Sequence, residues 1–214
     1  MSLASVVREP RVASEKPPLL LLLHGIGADE RDLLPVADAL DPRLRAVSLR
    51  APYDVDPMGF GWYALDWSRV PPEPDLAQAE RSLADLAAEV PGLARRFGAE
   101  PARTFLFGFS QGATMSLSLA LGRPELVRGV ILHSGRALQG IERRIAPPAE
   151  LAHLDALVLH GVHDDVLPVE RGREVRDLLS PLLGSRLQYR EHDAGHFVTR
   201  ESIADAARWI RGRI

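Results

Sequence analysis

Apolar residues along this chain fall into two alternating patterns. Residues 19–23 are a continuous apolar run, as expected of a strand covered by helices on both faces. Further strands are predicted at 45–49, in the aromatic-rich run from Thr104 to Phe109, and at 126–133, 156–160 and 186–191, with an edge strand at 6–12. Between them the spacing turns helical. Residues 29–40 direct Leu33, Leu34, Val36, Ala37 and Leu40 inward, and residues 75–90 do so with Ala79, Leu83, Leu86 and Val90 before an interruption at Pro91-Gly92. A helix after residue 110 stops at Gly122-Arg123-Pro124, and others are predicted at 168–179 and 199–210. Strands alternating with helices imply an α/β protein built on a mostly parallel, doubly wound sheet.

One stretch has no clear period. Residues 53–74 hold Tyr53, Phe60, Trp62, Tyr63 and Trp67, and an irregular segment that long inside a compact domain is usually functional.

Composition narrows the classes. At 214 residues the chain suits one α/β domain spanning 1–214 rather than two. A net charge of −3 offers no basic excess to neutralise phosphates, so no nucleic-acid partner is expected. The longest apolar run is too short to span a bilayer and residues 1–18 do not read as a signal peptide. A cytoplasmic protein without stable membrane insertion is therefore expected. The absence of cysteine removes disulfides, thiolate metal sites and a cysteine nucleophile.

The chemistry concentrates on loops that leave the carboxyl ends of strands, where active groups sit in such sheets. Gly108-Phe109-Ser110-Gln111-Gly112 is a Gly-x-Ser-x-Gly nucleophile elbow in a strand-turn-helix context. By itself that pentapeptide also fits a serine that merely caps a buried helix. Two other loops supply His163-Asp164-Asp165 and Ala194-Gly195-His196, and His24-Gly25-Ile26-Gly27 follows the first apolar strand. Serine, then acid, then histidine is the chain order of α/β hydrolases.

The motifs LHGIG (23–27), GFSQG (108–112), HGVHDDVLP (160–168) and AGH (194–196) together resemble the bacterial carboxylesterase/phospholipase family that also includes acyl-protein thioesterases. The resemblance runs along nearly the whole chain and implies a minimal α/β-hydrolase fold. It implies Ser110 as nucleophile, His196 as general base and acid, and Asp164 as the group that orients the imidazole. Asp164 rather than Asp165 fits the family's HGxxDxxxP pattern. Backbone N–H groups of Ile26 and Gln111 are the implied oxyanion hole. Residues 58–65 correspond to the segment that walls the family's acyl groove, making Trp62, Tyr63 and Leu65 expected substrate contacts, with Val166, Leu167 and Phe197 as further ones. The interval 134–155 has no room for a cap domain, so an open site for small to medium acyl esters is expected, without a cofactor. The leaving group is left open among simple esters, lysophospholipids and acyl-protein thioesters, and a homodimer is an open option.

Other histidines have plainer readings. His24 is expected to order its glycine loop, His133 to be a satisfied buried residue, His192 to lie at the surface, and His160 and His163 to be loop residues. A metal-dependent hydrolase on His160, His163, Asp164, His192 and His196 is the competing enzyme class. Gly195 and the preceding strand disfavour the helix that a His-x-x-x-His zinc pair needs. A binding protein that kept the fold without catalysis is the remaining alternative.

Overall fold

The computed structural model describes residues 3–55, 57–69, 72–99 and 101–214. In chain order the elements begin β1 (Ser5–Arg8), β2 (Leu19–Leu23), α1 (Leu34–Ala39) and β3 (Arg45–Leu49). Two small hairpins follow, β4 (Tyr53–Val55) with β5 (Gly59–Gly61), and β6 (Leu65–Asp66) with β7 (Glu73–Pro74). Then come α2 (Leu76–Arg96), β8 (Thr104–Phe109), α3 (Gln111–Gly122), β9 (Gly129–His133), β10 (Asp155–Gly161), α4 (Glu170–Leu183), β11 (Leu187–His192) and α5 (Arg200–Arg211).

Seven strands form one sheet in the order β1-β3-β2-β8-β9-β10-β11. Only β1 runs antiparallel, against β3. The apolar run of β2 explains the layering. Leu19, Leu21 and Leu23 enter the core shared with α2, α3 and α4, whereas Leu20 and Leu22 enter the opposite core with α1 and α5. Successive strand residues point to opposite faces, so a strand between two helical layers must be apolar throughout. This is the α/β-hydrolase arrangement, and residues 134–155 carry no cap, only a 3-10 turn at Ile141–Arg144 and further turns.

Several boundaries depart from the periodic reading for identifiable reasons. β1 ends at Arg8 rather than at residue 12, because Pro10 has no N–H for a ladder. Residues 30–33 form turns instead of helix: the Asp29 side chain accepts from the Arg31 N–H, and α1 starts beside Pro35, whose ring suits a first helical turn. Helix α2 runs straight through Pro91. A mid-helix proline costs about 3 kcal/mol, but continuing past it buries Leu93 and Ala94, and a large apolar side chain such as Leu93 contributes roughly 1.5–3 kcal/mol. Helix α4 likewise passes Pro181 to bury Leu183. The first three residues expected in β9's strand form a 3-10 turn at Pro124–Leu126 and its exit.

Candidate active site

The turn between β8 and α3 is built around one strained residue. Ser110 has φ 55° and ψ −116°, a left-handed region that non-glycine residues enter at a cost of about 1–3 kcal/mol. It is held there by its N–H donating to the His133 carbonyl (2.9 Å) and its own carbonyl accepting from Thr114 N–H (3.1 Å). Tight approach on both sides requires the flanking glycines. A β-carbon at residue 108 would overlap the backbone of Gly112, and one at 112 would overlap the carbonyl oxygen of Leu23.

Three side chains from distant parts of the chain meet at this turn. His196 Nε2 lies 3.0 Å from Ser110 Oγ, and His196 Nδ1 lies 2.7 Å from Asp164 Oδ2. The other carboxylate oxygen, Oδ1, accepts the N–H groups of Val166 (3.0 Å) and Leu167 (2.7 Å). A carboxylate receiving two amides on one oxygen presents the other as an acceptor, so Nδ1 carries the ring proton and Nε2 is free to accept from the serine hydroxyl. The Phe109 ring packs on the imidazole, centroids 5.0 Å apart. Asp165 is exposed and takes no part.

His160 is not a loop residue. It is buried within β10, where Nε2–H donates to the Leu167 carbonyl (2.7 Å) and lies 3.4 Å from Asp164 Oδ2. It therefore braces the acid loop from below.

The glycine-rich loop after β2 is clamped from several directions. The Ala51 N–H donates to His24 Nε2 (3.0 Å), which leaves Nδ1–H to donate to the Gly25 carbonyl (2.7 Å). Burial lowers the pKa of His24, which keeps that neutral tautomer. Gly27 N–H donates to the Phe60 carbonyl and Phe60 N–H to the Ala28 carbonyl. Glu30 pairs with Arg50 through two bonds of 2.6 and 2.7 Å, and that guanidinium hydrogen bond pulls the Glu30 pKa down to about 2. Ile26 and Gln111 converge on Gly61, where a β-carbon would meet Ile26 Cγ1 at 3.3 Å and Gln111 Oε1 at 3.4 Å. Among the described residues, neither the Ile26 nor the Gln111 backbone N–H donates to the chain.

Two expected substrate contacts are corrected. Trp62 and Tyr63 are 0% and 1% exposed and belong to the core, not to a cleft wall. Trp62 Nε1–H donates to the His24 carbonyl (2.9 Å), and its own carbonyl accepts from Ser82 Oγ (2.6 Å). The Gln111 side chain completes the strut: Oε1 accepts from Trp62 N–H (2.9 Å) and Nε2 donates to the Tyr63 carbonyl (2.8 Å). The sequence reading missed this role of Gln111, since only its backbone was considered. Leu65 and Leu167 are half-buried, while Val166 and Phe197 are 61% and 57% exposed.

The remaining histidines are tied into structure. His133 bonds Ser134 Oγ (3.1 Å) and Ser202 Oγ (3.0 Å), and burial pushes its pKa down to about 3. Ser202 also closes a capping box with Thr199, so His133 anchors the start of α5 just beyond His196. His192 faces Asp205 (3.1 Å), and exposed His163 faces Asp193 (2.7 Å). No group of three or more potential metal ligands occurs among the described residues, nor does any helix there have the length and apolarity to cross a membrane.

Comparison with known proteins gives the family and the fold. The putative hydrolase MhqD of Bacillus subtilis is 28% identical over 197 residues, covering 92% of this chain and 94% of that one. Among solved structures, esterase PE8 superposes with a TM-score of 0.86 at 28% identity over the full length of both chains. A carboxylesterase from Mesorhizobium loti reaches 0.80 at 26% identity, covering 94% of this chain and 90% of its own. The phospholipase/carboxylesterase family matches residues 4–214, and the chain belongs to that family of α/β-fold hydrolases.

Proposed function

We propose that the protein is a serine carboxylesterase that hydrolyses small to medium acyl esters through an acyl-enzyme. The observation that carries this reading is the continuous relay from Asp164 Oδ2 through His196 to Ser110 Oγ, at 2.7 and 3.0 Å. His196 Nε2 takes the hydroxyl proton as Ser110 Oγ attacks the acyl carbon, and then returns it to the leaving alcohol oxygen. Asp164 keeps the proton on Nδ1 and stabilises the imidazolium. Water repeats the cycle in reverse roles and releases the acid.

The Ile26 and Gln111 N–H groups receive the negative charge on the tetrahedral intermediate. Their lack of a partner among the described residues supports that role, as does the place of Gln111 directly after Ser110 at the start of α3. Such a donor contributes about 3 kcal/mol to the transition state in enzymes where one has been removed. The absence of a cap over residues 134–155 and the exposure of Val166 and Phe197, on the loops that carry Asp164 and His196, support open access for an ester rather than enclosure.

The test is a p-nitrophenyl ester panel of rising acyl length, run with a lysophospholipid and an acyl thioester beside it. Short and medium esters should turn over fastest, and Ser110→Ala should abolish turnover and fluorophosphonate labelling together. Full activity in the Ser110→Ala protein would overturn the reading.

A further inference from the structure

Beside the imidazole of His196 lies a crevice of about 330 Å³ between the start of α1, the start of α5 and the loop that carries His196. Leu33, Val36, Phe109, Phe197 and Ile203 give it an apolar lining, and Asp32 is its single carboxylate. No aromatic from the 53–74 segment contributes to it. We propose that this crevice is the alcohol subsite of the enzyme and selects esters whose leaving group is an uncharged apolar alcohol of about benzyl size.

The inference rests on the esterase reading and adds to it the side on which the alcohol sits. When the tetrahedral intermediate collapses, the bond between acyl carbon and alcohol oxygen breaks, its electron pair goes to that oxygen, and the oxygen takes the proton from His196 Nε2. The leaving oxygen must then be within hydrogen-bond reach of Nε2. The oxyanion is a different atom and goes to the proposed hole, the N–H groups of Ile26 and Gln111, neither of which lines this crevice. The alcohol is therefore directed to the histidine side of Ser110, and the cavity there has His196 itself in its wall.

Chemistry at the lip narrows the occupant further. Phe109 is packed between the His133 and His196 rings, with centroids 5.6 and 5.0 Å away, and supplies a fixed aromatic floor. Phe197 also lines the crevice and is exposed, which offers a second ring to stack on. No Arg or Lys lines the crevice, and Asp32 at its edge repels an anionic alcohol such as a glycerophosphate or a carboxylated benzyl group. Glycine at 195, before the histidine, keeps this side uncrowded: the atoms nearest a β-carbon there belong to the Phe197 ring, at 3.3 Å.

The experiment compares butyrate esters of methanol, benzyl alcohol and para-carboxybenzyl alcohol, whose acyl halves are identical. Burial of roughly 60 Å² of ring at ~25 cal/mol per Å² predicts about a 10-fold higher kcat/KM for the benzyl than the methyl ester. The carboxylated ester should lose that gain. Phe197→Ala and Ile203→Ala should each shrink the benzyl-to-methyl ratio, and Asp32→Asn should narrow the gap between the benzyl and carboxybenzyl esters. Phe197 and Asp32 are exposed, so those two substitutions leave the core untouched. A ratio near one, or a ratio intact in both apolar variants, overturns the crevice assignment while ester hydrolysis stands. Failure to hydrolyse any of the three, with no fluorophosphonate labelling of Ser110, removes the esterase reading and this inference with it.

Discussion

Asp164→Asn tests the relay without disturbing its shape. In the native loop, Asp164 Oδ1 accepts two backbone N–H groups, from Val166 and Leu167, and Oδ2 accepts from His196 Nδ1. An asparagine has one acceptor oxygen, and the two fixed amides claim it, because leaving both unpaired would cost about 1–3 kcal/mol each. The amide NH2 must then face His196 Nδ1. Two donors cannot share that contact, so the ring shifts its proton to Nε2. With a hydrogen on Nε2 the imidazole donates toward Ser110 Oγ and no longer removes its proton. A wrong tautomer of this kind lowers kcat about 10⁴-fold in a serine protease triad, equivalent to ~5.4 kcal/mol of barrier. Steady-state hydrolysis of p-nitrophenyl butyrate reads the loss, and urea unfolding checks that the fold is intact. Exposed Asp165→Asn should keep near-native rates and serves as the control. An Asp164→Asn protein with more than a tenth of native kcat would show that His196 does not depend on this carboxylate for its tautomer.

Other consequences follow from the packing around the site. Trp62→Phe deprives the His24 carbonyl of its donor and leaves a small void, for a combined loss of about 2–4 kcal/mol, yet the acyl-length profile should stay put. A shifted profile at unchanged Tm would return Trp62 to the substrate. Gly112→Ala should destabilise by about 3 kcal/mol or prevent folding, since the overlap with the Leu23 carbonyl outweighs the ~1 kcal/mol that alanine adds to a helix. Circular dichroism melts would expose the reasoning if the variant were as stable as the parent. Glu30 has its pKa lowered from 4.5 to about 2 by Arg50, so the folded state gains stability above the unfolded-state value and loses it as pH falls from about 4.5 toward 2. Glu30→Gln should flatten that part of the stability curve, and an unaltered acid limb in urea titrations at pH 5 and pH 3 would contradict the assignment.

Much of the molecule was readable from local pattern. The run at 19–23 announces a strand between two helical layers, and the Gly-x-Ser-x-Gly turn announces an elbow, because both signals arise from constraints within a few residues. Chain order and motif likewise single out Ser110, Asp164 and His196, which the structure brings into contact. Proline misled for the same local reason. Pro91 weakens a helix in isolation, and only the apolar contacts of Leu93 and Ala94 with other elements decide that α2 continues.

The aromatic segment shows the limit most clearly. Composition marks residues 53–74 as apolar, but whether a ring faces solvent, substrate or sheet depends on what stands opposite it. Tertiary structure placed the His24 carbonyl against Trp62 Nε1 and the Gln111 amide against the Trp62-Tyr63 backbone, and so turned an expected cleft wall into a buried strut. The crevice beside His196 is of the same kind, assembled from residues near 33, 109, 197 and 203. Sequence alone determined the order of the main strands and helices and the elbow, and it singled out Ser110, Asp164 and His196 as candidates, since each signal follows from short-range sterics and residue chemistry. Which surfaces those side chains share was decided only by the fold, because a cavity belongs to the space between segments and to none of them singly.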